Sequence, residues 1–401
     1  MYATVARDTR GSPQGGPWPD HGLPSGVDRI RRWALPVLAL ALALTGSVLL
    51  ARAGGDFERQ HVVVDGVPLD VVRPAGAPPG PGVVVAHGFA GSARLMAPFG
   101  DTLAARGWTV VLPDLDGHGA NTRSPTDLQH DLDVAVTYLR GLPGVDGNRI
   151  ALVGHSMGAG AVTAYAMDHP DITATVAISL PGTAPAPEDR PARLLLLVGG
   201  LEFQSFREVA EDVVVVPGVE HISVLYAPRT HRLTADWLGP GDQPLPSPVR
   251  RLVASGLLML GLLLGFPTVA RLGFGPLTIA YAGAAIAVPL HLGFTHAVPV
   301  GLHWFALLAL WAAFAVLGYF GGSLRGDLIA AVLAVILITA AAAVGWAPGF
   351  VLLVVPLLGV LLLIQAGLSA VLRARHAPAW VIALTGSLLV AWPIATTLPL
   401  A

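Results

Sequence analysis

The chain has 401 residues, of which 53% are hydrophobic and only 12% charged, with a mean hydropathy of +0.64; this is too apolar for an ordinary soluble protein and marks a membrane protein. Its 24 basic and 26 acidic residues leave a net charge of −2, and the one basic cluster, Arg29-Ile30-Arg31-Arg32, is too small to neutralise a run of phosphates, which excludes nucleic-acid binding. Cysteine is absent, so disulfides, thiol nucleophiles and thiolate metal sites are excluded, and no redox compartment follows.

Residues 1–28 are rich in Gly, Pro, Asp and Ser without apolar periodicity and read as a disordered tail. Residues 29–53 read as a transmembrane anchor: Arg29, Arg31 and Arg32 precede an uncharged run from Trp33 to Leu50, close to the length needed to cross a hydrocarbon core. Ala51-Arg52-Ala53 resembles a signal-peptidase site, but the apolar run exceeds a signal core and favours an uncleaved anchor. Residues 54–247 then alternate short β-branched runs with amphipathic stretches, the pattern of one α/β domain. Strands are predicted at 60–64, 68–73, 82–86, 108–113, 149–154, 173–180, 193–198 and 212–216. Asp65-Gly66 between the first two is a two-residue hairpin signal, whereas the later strands are buried runs spaced by helices, as in a mostly parallel, doubly wound sheet.

From 248 to 401 the chain is almost continuously apolar and predicts an all-α membrane domain of six spans near 252–270, 276–295, 299–320, 327–346, 349–371 and 379–398. With the anchor this makes about seven spans in the cell membrane. Arg271, Arg325, Arg373 and Arg375 fall in alternate turns. By the positive-inside rule those turns and the N-terminus are cytoplasmic, and residues 54–247 face the extracytoplasmic side. Arg250 and Arg251, at the outer end of the second span, run against this pattern.

The most informative motif is Gly154-His155-Ser156-Met157-Gly158, a G-x-S-x-G pentapeptide between the apolar run Arg149–Val153 and a helix of small residues. A strand-to-helix turn of this kind strains and exposes the serine, and the flanking glycines admit the close backbone approach. With Val83–Ala86 leading into His87-Gly88-Phe89-Ala90-Gly91-Ser92, and Pro113-Asp114-Leu115-Asp116-Gly117-His118-Gly119 after a later strand, residues 60–238 resemble the serine-nucleophile α/β-hydrolases. The resemblance implies that Ser156 is the nucleophile and that the backbone N–H groups of Phe89 and Met157 form an oxyanion hole. It assigns Asp114 and His118 to bracing the loop beside the site.

The family order is serine, acid, histidine. Gly199-Gly200-Leu201-Glu202 follows the strand Leu194–Val198, where the family usually has aspartate, so Glu202 is the expected acid; Glu208 and Asp212 are the competing carboxylates. Pro217-Gly218-Val219-Glu220-His221 follows the last strand and makes His221 the expected base. His231 is expected on the surface of a helix over 227–238, and His155 is expected to pack and shape the pocket. No metal or other cofactor is expected, although His291, His296 and His303 gather around one outer loop. Only twelve residues separate Leu180 from Arg193, too few for the cap that many such hydrolases insert, so the site should be open.

The implied activity is hydrolysis of a carboxylic ester, a small molecule or an amphiphilic lipid ester, through an acyl-enzyme. The competing reading is a transporter-like or scaffolding membrane protein whose hydrolase-like domain only binds. Oligomeric state leaves no signal in the sequence.

Overall fold

In the computed structural model, the described residues are 26–293, 322–344 and 351–397, together with 308, 311 and 312, apart from 56, 77–78, 124–126, 240 and 274. The predicted span at 299–320 lies almost wholly outside them, as do His296 and His303.

Eight strands form one sheet: β1 (Phe57–Val64), β2 (Val67–Pro74), β3 (Gly80–Ala86), β4 (Thr109–Pro113), β5 (Val145–His155), β6 (Ile172–Ile178), β7 (Leu194–Gly199) and β8 (Val214–Val216). Their order is β1-β2-β4-β3-β5-β6-β7-β8. β1 and β2 are an antiparallel hairpin, and β2 is antiparallel to β4; every later pairing is parallel. The hairpin turns at Asp65 and Gly66, both with positive φ (49° and 82°), the backbone that the right-handed twist of two joined strands favours.

Helices cover both faces. α2 (Ala97–Ala105) and α6 (Pro228–Leu238) bury Phe99, Leu103, Ala235 and Leu238 against one face of the sheet. α3 (Leu128–Gly141) and α4 (Met157–Asp168) bury Leu132, Val136, Leu139 and Val162 against the other. Each of the larger of these side chains, removed from water, contributes roughly 1.5–3 kcal/mol. This is the α/β-hydrolase fold, with a mostly parallel sheet. Between β6 and β7 the chain forms no helix beyond a single 3-10 turn at Pro187–Asp189, and α5 (Gln204–Arg207) after β7 is one turn long.

The apolar helices are α1 (Gly26–Arg52), α7 (Arg250–Val269), α8 (Pro276–Gly293), α9 (Leu324–Ala343), α10 (Val351–Ala374) and α11 (Ala379–Thr397). α1 begins at Gly26, inside the stretch expected to be tail. Among the described residues, five helices are long and apolar enough to cross a membrane: Trp33–Arg52 of α1, then α7, α8, α9 and Val355–Ala374 of α10.

α1 and α7 lie antiparallel in close contact. A Cβ on Gly46 would stand 2.4 Å from the backbone nitrogen of Leu258, and one on Gly261 would stand 2.4 Å from that of Ala43. Small residues therefore set how near the two backbones come. Their adjoining ends receive the two termini of the hydrolase fold, which sits between them as an insertion.

At this junction Arg250 and Arg251 find the partner that the charge pattern of the sequence lacks. Both reach the carboxylate of Asp101 in α2, Arg250 at 2.5 Å and Arg251 at 3.3 Å, and Arg59 of β1 pairs with the same carboxylate. These two arginines are bound to the hydrolase fold, which accounts for their place at this end of α7.

Candidate active site

β5 ends at His155, and the chain reverses sharply into α4 at Ser156, whose backbone is held at φ 51°, ψ −118°, a conformation that costs on the order of 1–3 kcal/mol for a residue with a Cβ. Both flanking glycines are required. A Cβ on Gly154 would fall 2.2 Å from the carbonyl oxygen of Gly158, and one on Gly158 would fall 2.5 Å from that of His87. The serine is thus pinned between the end of β3 and the start of α4.

His221 lies in the loop after β8, and its Nε2 is 3.0 Å from Ser156 Oγ, positioned to accept the hydroxyl proton. On its other side Nδ1 donates to Glu202 Oε2 at 2.7 Å. The structure therefore brings together the three residues that the sequence singled out. The extra methylene of glutamate is absorbed by folding the side chain back. Oε1 accepts from the amide of Gly199 at 2.7 Å and from the hydroxyl of Ser179 at 2.6 Å. Glu202 is 5% exposed and His221 4%, so the pair is shielded and its geometry is fixed by four elements at once. Such a chain lets the imidazole take a proton from the hydroxyl while the carboxylate holds its tautomer.

The expected competitors lie apart from this chain. Asp212 is mostly exposed and pairs with Arg190 at 2.6 Å, which holds its carboxyl below the usual range through that hydrogen bond. Glu208 accepts from Gln204 on the surface. His118 donates from Nδ1 to the carbonyl of Asp116 and meets the ring of Phe89 edge-on at 5.3 Å. Asp114 accepts from the amides of Ala93 and Ala120, joining the loop after β3 to the one after β4.

Phe89 stands immediately after Gly88, whose Cβ, if it had one, would be 3.0 Å from Ser156 Cβ. Met157 is the first residue of α4, so its N–H belongs to the turn that has no intrahelical acceptor. Both amides are therefore carried by segments that abut the serine.

Two residues depart from expectation. His155 does more than pack: it is buried, and its Nε2 donates to the backbone carbonyl of His221 at 2.9 Å, with the rings 4.8 Å apart. It fixes the loop that carries the imidazole. Burial, with the nearby His221 adding to it, pushes its pKa down to about 3, so it stays a neutral donor. His231 is not at the surface; it is 1% exposed, stacks on Phe99 at 4.0 Å, accepts from Thr102 and donates to Leu225. Ser179, in a left-handed turn (φ 55°) at the end of β6, carried no sequence signal. Among the described residues no group of three His, Cys, Asp or Glu could hold a metal ion.

Comparison with known proteins fits this architecture. Residues 77–235 match the family described as serine aminopeptidase, S33. A thermostable monoacylglycerol lipase of Bacillus sp. (strain H-257) is 32% identical over 168 residues, 41% of this chain and 64% of the lipase. Epoxide hydrolase A of Mycobacterium tuberculosis is 37% identical over 125 residues, 30% of this chain and 38% of that protein. The chain thus spans less than two thirds of these curated relatives. Among solved structures, a membrane phospholipase A is similar at 17% identity with a TM-score of 0.38, over 53% of this chain and 94% of that one. The family match and the curated relatives support a hydrolase of the α/β-hydrolase superfamily.

Proposed function

We propose that the protein is a membrane-anchored serine hydrolase that cleaves a carboxylic ester of an amphiphilic or lipid substrate through an acyl-enzyme. Residues 29–53 are its retained anchor, 54–247 its hydrolase domain and 248–401 its membrane domain, with the catalytic domain extracytoplasmic. The observation that carries this reading is the unbroken chain Ser156 Oγ, His221, Glu202, mounted on a strained elbow. Ser156 attacks the ester carbonyl, and His221 takes its proton. The amides of Phe89 and Met157 receive the developing oxyanion, and His221 returns the proton to the leaving alcohol. Water, deprotonated by the same imidazole, then releases the acid.

The substrate class rests on what surrounds the triad. Among the described residues no cap is inserted between β6 and β7, and Phe89, next to the Gly88 that abuts the serine, and Leu201, Phe203 and Ile222, which adjoin Glu202 and His221 in sequence, are 42%, 68%, 48% and 37% exposed. Large apolar side chains left in the open on the segments that carry the three residues favour an acyl chain or a lipid surface over a polar ester. The similarity to a monoacylglycerol lipase supports the same choice.

A fluorophosphonate probe applied to membranes containing the full-length protein tests the proposal. Labelling of the wild type is expected to vanish with Ser156→Ala and to slow by at least about a thousandfold with His221→Ala. A folded wild-type protein that takes up no probe would turn the reading toward a domain that only binds.

A further inference from the structure

Where the hydrolase fold meets the ends of the apolar helices, three guanidinium groups share one carboxylate. Arg59, Arg250 and Arg251 all converge on Asp101, which is 1% exposed. One negative charge cannot balance three positive ones. Two are left over in a place where Arg251 is only 7% exposed and its Nε is buried with no partner among the described residues. Burying an uncompensated cation is costly, and a counter-ion removes that cost.

Beside the cluster is a cavity of about 260 Å³ whose walls include Arg59, Arg94 and Arg251. Its acidic wall residue, Asp70, accepts from His61 at 2.9 Å across the β1–β2 hairpin. Arg94 donates to the carbonyl of Leu292 in the last turn of α8 at 3.3 Å, and Arg251 is in the first turn of α7. The cavity is therefore level with the ends of two apolar helices, the height at which lipid headgroups sit when such helices cross a bilayer. Guanidinium groups are the side chains best matched to phosphate oxygens, which they bind in pairs of parallel hydrogen bonds. The volume is just under the roughly 300–1,000 Å³ of a drug-sized site, room for a headgroup and too little for a whole lipid.

We propose that this cavity binds a phosphate group, supplied by the headgroup of an anionic phospholipid or by free phosphate. The ligand neutralises the junction and fixes the hydrolase fold against α7 and α8.

The test uses the full-length protein in phosphatidylcholine nanodiscs, with or without phosphatidylglycerol, examined by native mass spectrometry, and titration of inorganic phosphate in the phosphatidylcholine discs. If a lipid supplies the group, wild type retains phosphatidylglycerol in preference to phosphatidylcholine. Arg94→Gln and Arg59→Gln lower that retention about tenfold, the loss of a charge-assisted pair. Arg375→Gln, in a turn remote from the cavity in sequence and charge cluster, leaves it unchanged. If free phosphate is the ligand, wild type binds it in neutral discs, the Arg94 and Arg59 variants bind it about tenfold more weakly, and no lipid preference appears. Arg94→Lys, which keeps the charge, serves if Arg94→Gln does not fold. Absence of both kinds of binding, or binding that Arg375→Gln lowers as much as Arg94→Gln, overturns the proposal.

Discussion

Glu202 is held by three donors, and each constrains what the site tolerates. Its Oε2 accepts from His221, and Oε1 from Gly199 and Ser179. Glu202→Asp withdraws the carboxylate by one methylene, so it cannot span all three, and the rate of fluorophosphonate labelling is expected to fall about 10- to 100-fold. Glu202→Gln presents an amide to Nδ1 and fixes the wrong tautomer, for which the expected loss approaches about 10⁴-fold. Ser179→Ala removes one hydrogen bond, worth about 1 kcal/mol or roughly fivefold. A Glu202→Gln variant labelled as fast as wild type would sink the assignment of its role. The candidate site was legible at Ser156, Glu202 and His221, because each follows a strand end at a position that the family resemblance picks out. Ser179 and His155 were not, because their contacts with Glu202 and the His221 carbonyl span 23 and 66 residues, and no local pattern reports which way the last side chain of a strand turns.

Among the described elements, the α1–α7 pair has its geometry set by close backbone approach. Gly261→Leu or Gly46→Leu would drive a side chain into the opposing backbone, and overpacking of this kind costs about 1–3 kcal/mol or more. Both variants are expected to lower the melting midpoint of the full-length protein. Gly256→Leu on the same α7, where a Cβ meets nothing within 4 Å, is expected to leave it unchanged; equal losses in all three would show that the contact is not what matters. All eight strands were legible, because β-branched runs bounded by Gly, Pro and Asp carry their own signal. The inner face of α6 was misjudged at His231. Counting back from Leu238 by seven reaches it, on the same stripe as Thr234 and Ala235, and a polar residue on that stripe reads as solvent-facing until its partners Thr102 and Leu225 are known.

At the scale of the molecule, buried imidazoles decide how the fold responds to acid. Burial, with repulsion from His118, pushes His87 down to about 3; burial also lowers His155 to about 3 and His231 to about 4. In the unfolded chain each titrates near 6.5, so between the two values the unfolded state holds more protons and stability falls as pH drops. Asp131 acts oppositely: burial raises it to about 7, so the stability tied to its proton is lost as pH rises from about 4 to 7. Burial lowers His118 as well, so the lowered imidazoles outnumber Asp131 and the melting midpoint is expected to fall between about pH 6.5 and 4.5, measured by circular dichroism on the full-length protein. Replacing His155 and His231 by Gln should flatten that slope, whereas Asp131→Asn should steepen it; a midpoint indifferent to acid in the wild type would show that these rings are not held neutral.

The antiparallel union of α1 and α7 has one more consequence, which concerns the denatured rather than the native chain. While those helices stay joined, everything between them is a closed loop, and opening the hydrolase fold releases a ring instead of a free strand. For a ring of about 200 residues the lost chain entropy is on the order of 5 kcal/mol in the cross-link model. A chain without cysteine thereby gains from two apolar helices the restraint that exported proteins commonly take from a disulfide.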